Sequence, residues 1–299
     1  MTLDLDTVRV FLEVAERASF TRAGAQLALS KSRVSLRVRE LERELGVALL
    51  QRSTRAVRLT ADGEQFIPRA RRLLAEAEDV SAMFEPRRAV RGQVRADLPV
   101  GLACNVIIPR LPEFLAVHPE LEVLLSTTDR RVDVLRDGFD CVVRVGVLSD
   151  SGLSARRLGN LSMLNCASPA YLRRHGMPRE LADLDGHYVV HYSADLGGSG
   201  PSFEYRDGER YVERPMRSLV TVNNSDAYRA AAMAGLGIIQ SPRLGLVQHL
   251  GSGALVEVLA ELTCAPMPVN ILHAYGRNVP RRVRLFMAWV AELLEPQLR

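Results

Sequence analysis

A short polar break at Leu29-Ser30 separates two helical patterns, and the second of these constrains the fold more than any other stretch. Val34, Val38, Leu41 and Leu45 recur at i, i+4, i+7 and i+11. At about 100° per residue they form one narrow apolar stripe. The opposite face carries Ser32, Leu36, Arg39 and Arg43, flanked by Arg33, Ser35 and Glu40. Ser30 stands at the N-cap position, which puts Lys31, Ser32 and Arg33 in the first turn. Upstream, Leu5, Val8, Phe11, Leu12 and Ala15 mark an amphipathic first helix. With Phe20, Ala23, Leu27 and the Val34 stripe it closes a small three-helix core. A short helix, a tight turn and a basic second helix make a helix-turn-helix. In that motif the second helix puts its first turns against base edges and the preceding helix crosses the phosphates.

On that geometry Ser32, Arg33, Ser35 and Leu36 are the base-facing candidates, with Lys31 and Arg39 beside them. Arginine grips guanine through two acceptors, whereas Leu36 offers only apolar contact to a thymine methyl. Ser19 or Thr21 at the start of the preceding helix is a phosphate candidate, as are Arg52, Arg55 and Arg58 beyond the reading helix. Residues 49–60 are short, basic and partly alternating, which predicts a small β-ribbon or wing. Arginines at a wing tip suit minor-groove or phosphate contact. Charge agrees with this placement: residues 1–60 hold eleven Lys plus Arg against seven Asp plus Glu, a balance of +4. Residues 61–92 hold six of each sign and residues 93–299 hold 22 of each, so the whole net charge of +4 sits in the first 60 residues. There it steers association with a polyanion.

Phe11-x-x-Val14, Ala18-Ser19-Phe20-Thr21-x-Ala23, Leu27-x-x-Ser30, Val34-Ser35, Leu41-Glu42-x-x-Leu45-Gly46, Leu49-Leu50-x-Arg52 and Leu59-Thr60-x-x-Gly63 agree in order and spacing with one signature. The chain thereby resembles the LysR-type transcriptional regulators, densely over its first 60 or so residues and more loosely to the C-terminus. It departs from the usual pattern at Lys31, Arg33 and Leu36, on or beside the reading face, and at Leu50 in the core. The operator sequence of relatives therefore does not carry over.

Between residues 60 and 88 the pattern changes to one long helix. Phe66, Ala70, Leu73, Ala77, Val80 and Phe84 alternate four and three apart, a heptad seam suited to another helix. Thr60 is its N-cap candidate, and Pro68 removes one backbone hydrogen bond early in it. A strip this narrow predicts pairing with the same helix of a second subunit through Phe66, Leu73, Val80 and Phe84, and two heads on a two-fold axis read an inverted repeat. The resemblance implies the same dimer contact, with tetramers common. Residues 85–92 read as a hinge.

The rest reads as alternating α/β units. Strands are expected at 94–100, 121–126, 141–145, 161–167, 187–192, 219–223, 237–240 and 268–275, and helices at 105–117, 131–137, 169–175, 226–234, 242–250 and 280–294. Strands spaced by helices predict mostly parallel sheets. The expected fold is α/β: an all-α winged helix-turn-helix domain over 1–60, a linker and dimerisation helix over 61–89, and an effector-binding and oligomerisation domain over 92–299. The resemblance implies that this last part has two lobes, about 92–165 plus 266–299 and about 166–265, built like periplasmic solute-binding proteins. Ligands in open α/β sheets bind beyond the carboxyl ends of strands, where helix starts favour an anion. Two such junctions stand out, at Val100-Gly101-Leu102 and at Asn223-Asn224-Ser225. Arg144 and Ser168, near strand ends at the lobe boundary, are further candidates. Many effectors of the family are small carboxylates, which agrees with helix-start anchors, although positions 100–102 are apolar or glycine where relatives often carry Ser or Thr.

Other classes are excluded or left as alternatives. No GxSxG elbow, Walker A loop, HExxH or Gly-rich dinucleotide turn appears, so an enzyme is not expected, and no cofactor or metal. No apolar run reaches the roughly 18 residues needed to span a membrane, and the acidic start lacks a signal-peptide core. The cytoplasm is expected. Cys104, Cys141, Cys166 and Cys264 are scattered with no CxxC spacing and read as buried thiols. Two alternatives stay open: a regulator of this type without an effector, and one sensing redox state through cysteines. Expected partners are double-stranded DNA, a second copy of the chain, a small-molecule effector and, as a further candidate, RNA polymerase.

Overall fold

Each helix start in the first 60 residues of the computed structural model is capped by its own neighbour. The structure describes residues 3–52, 57–82, 89–148 and 152–298. Asp4 accepts from the N–H of Asp6 before α1 (Leu5–Arg17), Ser19 from Arg22 N–H before α2 (Phe20–Leu27), and Ser30 from Arg33 N–H before α3 (Lys31–Leu45). Such caps satisfy orphan donors at a helix start. The predicted stripe is the core: Val34, Val38 and Leu41 are fully buried with Val8, Phe11, Val14 and Ala23. The turn between α2 and α3 closes because Gly24 has no side chain, since a Cβ there would lie 2.6 Å from the Leu29 carbonyl oxygen. The wing forms as β1 (Leu50–Arg52) pairs antiparallel with β2 (Val57–Leu59).

Helix α4 (Ala61–Ala82) begins at Thr60, whose hydroxyl accepts from Gly63 N–H at 2.9 Å and donates to the Ala48 carbonyl at 2.7 Å. Here too space is decisive: a Cβ on Gly63 would sit 2.1 Å from the Leu49 carbonyl oxygen. The first half of α4 belongs to the head. Ala70 is buried in its core, Phe66, Ile67 and Leu74 pack against it, and the Phe66 ring lies 5.5 Å from that of Phe11. Phe66, expected in the subunit seam, thus has Phe11 of α1 as a partner within the head. Leu73 is half-buried, Val80 is 58% exposed, and Phe84 lies outside the described residues.

Chain contacts divide the protein into two units: Met1–Gly92 with Asp133–Phe139, and Gln93–Val132 with Asp140–Arg299. The second contains two sheet systems. One is a five-stranded sheet of order β4-β3-β5-β14-β6, made by β3 (Gly92–Leu98), β4 (Leu121–Thr127), β5 (Cys141–Val145), β6 (Ser154–Leu161) and β14 (Met267–His273). The other system is built from β7 (Met163–Ala167), flanked by β12 (Ile239–Pro242) and β13 (Val256–Glu257), together with the pair β8 (Tyr188–Tyr192) and β11 (Arg217–Val222). An isolated parallel bridge, Val189 to Ile238, ties the two parts of this second system. The chain leaves the first lobe between Leu161 and Met163 and returns before Met267, so residues 163–165 belong to the second lobe rather than the first.

The sheets are mixed, not mostly parallel as predicted. β3 and β5 are parallel, as are β8 and β11, but β14 runs antiparallel to both β5 and β6, and β12 and β13 run antiparallel to β7. Strand–helix alternation predicts parallel neighbours only where a strand returns directly to its own sheet; β14 re-enters from the other lobe. The hairpin of β9 (Ser202–Asp207) and β10 (Arg210–Pro215) was not expected, and residues 131–137 form turns rather than a helix. In those turns the Asp133 carboxylate accepts from the N–H groups of Leu135 and Arg136. One helix among the described residues, α5 (Val100–Val117), is long and apolar enough by composition to cross a membrane. Its Leu102, Ala103, Ile107 and Phe114 are instead buried, and Arg110 pairs with Glu113 along it. Helices α6 (Pro169–His175), α7 (Ser225–Met233), α8 (Val247–Gly251) and α9 (Arg281–Leu294) complete the unit. Phe114 of α5 meets the rings of Phe286 and Trp289 of α9 at 5.7 and 4.9 Å.

Candidate nucleic-acid interface and effector site

The first turn of α3 is open to solvent. Lys31, Ser32, Arg33 and Arg39 are exposed, Leu36 is 50% exposed, and Ser35 is half-buried. The Ser32 hydroxyl lies 3.0 Å from that of the cap residue Ser30, and the Arg39 Nε donates to the Ser35 carbonyl at 3.3 Å. Leu36 thus stands exposed among cations, opposite the buried Val34, Val38 and Leu41. Arg37 is different: it pairs with Asp4 at 3.0 Å, which ties α3 to the start of α1. The sequence reading missed that pair. It also missed Glu42, whose Oε1 accepts from the N–H groups of Leu49 and Leu50 at 2.9 and 3.0 Å and so fixes the wing to α3. The signal was Glu42 itself, a polar residue between the stripe residues Leu41 and Leu45.

Thr21 is exposed in the first turn of α2, and Ser19 spends its hydroxyl on the α2 cap. Arg52 stands in β1, with its side chain outside the described residues, and Arg55 lies outside them altogether.

In the second unit the two predicted helix starts come together, and one residue joins them. The Asp129 carboxylate, in the loop after β4, accepts from Val100 N–H at 2.9 Å through Oδ1 and from Ser225 N–H at 2.6 Å through Oδ2. Val100 opens α5 in the first lobe and Ser225 opens α7 in the second. A Cβ added to Gly101 would touch the Ser225 hydroxyl at 3.5 Å. Asn224 caps α7 by accepting from Ala227 N–H at 2.8 Å, and Asn223 beside it is exposed. At both predicted helix starts, the backbone donor is answered by the protein's own carboxylate. Tyr192, at the end of β8, stands near: burial pushes its phenol up, and the charges of Asp129 and Asp195 push it further. Its ring meets that of Tyr228 edge-on at 5.6 Å. Neither Asp129 nor Tyr192 was predicted, although Tyr192 ends β8 and Asp129 follows β4 by two residues.

Three predicted effector contacts are engaged within the fold. Leu102 is 5% exposed and turns into the core of the first lobe. Ser168 is 2% exposed and caps α6 by accepting from Tyr171 N–H. Arg144 sits 2.8 Å from the buried Asp97 carboxylate and donates to the Val143 carbonyl at 2.7 Å, so its charge is partnered. Burial raises the Asp97 carboxyl, while hydrogen bonds from Ser126 and Arg144 and the charges of Arg144 and Arg130 oppose that shift.

Cys104 is exposed and the other three cysteines are buried. Burial, reinforced by nearby acidic charge, pushes the Cys166 and Cys264 thiols up to about 12 and Cys141 higher still. Thiols so shifted are poor nucleophiles. Among the described residues no cluster of His, Cys, Asp and Glu could hold a metal ion.

The two family models that match the chain fall on these two regions. Residues 5–64 match the bacterial regulatory helix-turn-helix protein, lysR family, and residues 87–295 match the LysR substrate binding domain. The chain belongs to the LysR family of transcriptional regulators. It is 41% identical over 295 residues to the uncharacterized HTH-type transcriptional regulator YhjC of Escherichia coli, covering 98% of this chain and 99% of that protein. It is 35% identical over 291 residues to an HTH-type transcriptional repressor of Pseudomonas aeruginosa, covering 97% and 92%. The solved structure of CrgA, a LysR-type regulator from Neisseria meningitidis, aligns with a TM-score of 0.62 at 29% identity, over 97% of this chain and 99% of that one. The protein is thus a DNA-binding transcriptional regulator with a helix-turn-helix and an effector-binding domain.

Proposed function

We propose that this LysR-family regulator acts in the cytoplasm and is not an enzyme. It reads an inverted-repeat operator as a dimer or tetramer, and a small metabolite held between the two lobes changes its DNA affinity or geometry. The domains are assigned as 1–60 for DNA binding, 61–89 for the linker and dimerisation helix, and 92–299 for effector binding. The observation that carries the DNA reading is the solvent-open first turn of α3, with Lys31, Ser32, Arg33 and Leu36 exposed over a fully buried stripe. Ser32, Arg33, Ser35 and Leu36 meet base edges, while Lys31, Arg39, Thr21, Arg52 and Arg55 hold phosphates. Ser19 aids them through its helix cap. Leu73, Val80 and Phe84 carry the subunit contact. RNA polymerase is a further partner of the DNA-bound form.

For the effector, the supporting observation is the meeting of two helix starts at Val100 and Ser225, where backbone donors favour a carboxylate. The alternative of a redox sensor loses support from the raised thiols of Cys141, Cys166 and Cys264. The test of DNA reading is binding to duplexes from the protein's own chromosome against random competitor. Arg33→Ala is expected to relax preference at one operator position by roughly 1–3 kcal/mol. Unchanged discrimination among operator variants refutes the base-facing assignment. For the effector, a panel of small carboxylates is scored by thermal stabilisation, since a specific ligand raises stability by mass action.

A further inference from the structure

We propose that Asp129 is an internal latch, a positioning residue whose carboxylate bolts the two lobes together before any effector arrives. A carboxylate has two oxygens, and this one gives each to a different lobe: Oδ1 to Val100 N–H at 2.9 Å and Oδ2 to Ser225 N–H at 2.6 Å. Both donors are first-turn amides of helices, α5 with 18 residues and α7 with nine, so two positive dipole ends converge on one negative charge. Hydrogen bonds to an ionised acceptor are roughly twice as strong as neutral ones. The bridge is also specific to the lobe seam, because α7 already has its local cap in Asn224 and gains Asp129 as a second acceptor from across the boundary.

Two further observations place the starts of α5 and α7 side by side at this seam. The Ser225 hydroxyl oxygen, beside the bridged amide, is buried without a hydrogen-bond partner among the described residues. Gly101 at the start of α5 faces that hydroxyl, since a Cβ added there would meet it at 3.5 Å. Tyr192 reports the field of Asp129 from the second lobe, because the carboxylate charge contributes to holding its phenol protonated. A latch of this kind makes lobe closure the default state, and an effector carboxylate then acts by displacing Asp129 rather than by filling empty donors. The inference rests on the same seam as the effector reading, but not on any effector existing.

The test places a fluorescent donor and acceptor on the two lobes of the full-length protein, through Glu122→Cys and Glu209→Cys in a Cys104→Ser background. Both acidic positions are exposed. Asp129→Ala is expected to broaden the interlobe distance distribution and lower the unfolding midpoint. Sodium acetate is expected to narrow the distribution again, while sodium chloride at equal ionic strength is not. Acetate is expected to act on the variant at concentrations at least about tenfold below any effect on the parent. Asp129→Asn, which keeps an acceptor oxygen but loses the charge, is expected to fall between the two and serves if Asp129→Ala does not fold. A distribution identical in the parent and in these variants overturns the latch. So does a broadened distribution that acetate and chloride affect equally. A carboxylate panel with no hit on the parent removes the effector reading and leaves the latch standing.

Discussion

In the head, each helix start is satisfied from two or three residues away: Asp4 for Asp6, Ser19 for Arg22, Ser30 for Arg33 and Thr60 for Gly63. In the two-lobed unit, the helix starts at the seam share an acceptor that lies 29 residues from Val100 and 96 from Ser225. That difference separates structure written in short motifs from structure assembled by the fold. A DNA-reading head keeps one shape while it searches and binds, and local caps hold it so. A sensing unit has to change shape on demand, and a single long-range contact is a natural place for that change.

Substitutions in each region test this difference. Gly63→Ala forces a Cβ onto the Leu49 carbonyl and is expected to cost the head about 3 kcal/mol. Thermal unfolding would show a lowered head transition and DNA binding would be lost, whereas a silent substitution would mean the wing junction is looser than its geometry. Within α4, Phe66→Ala is expected to cost about 2 kcal/mol of head stability, given its half-burial against Phe11. Val80→Glu should leave that stability alone and shift sedimentation towards monomers. If Phe66→Ala lowers the sedimenting mass while the head stays stable, the division of α4 into a head-packed half and a proposed subunit-facing half is wrong.

A smaller effect is expected at the wing. Arg55→Ala should weaken binding to every duplex alike, by about 1 kcal/mol, with a shallower salt dependence. A loss confined to one operator base would move Arg55 to the reading face. The smallest perturbation is chemical. Because burial raises the thiols of Cys141, Cys166 and Cys264, their thiolate fraction at pH 8 is negligible. Native protein at that pH should take up alkylating reagent at exposed Cys104 alone, and all four cysteines should react once it is unfolded. Rapid reaction of a buried thiol in the native state would restore the redox alternative.

Much of the head was legible in the residues themselves. The Val34 stripe, the Ser30 cap and the basic face of α3 all follow from helical periodicity and neighbouring side chains. The wing followed from alternation and charge, and several strands of the second unit, Cys141–Val145 among them, from apolar runs. The periodicity of α4 is legible in the residues, but the packing of Phe66 on Phe11 is not. A heptad seam specifies a helix-shaped neighbour and leaves open whether that neighbour is α1 of the same head or a second chain.

The sequence alone determined the local chemistry: which faces are greasy, where helices begin, and that the positive charge gathers in the first 60 residues. Tertiary structure alone decided which distant residue answers which donor. β14 runs antiparallel because the chain re-enters its sheet from the other lobe, Arg144 is spent on Asp97, and Asp129 reaches two helix starts at once. The physical reason is range. Periodicity and capping act over one or two helical turns, whereas the pairing of a charge with amides 29 and 96 residues away exists only after both lobes have folded.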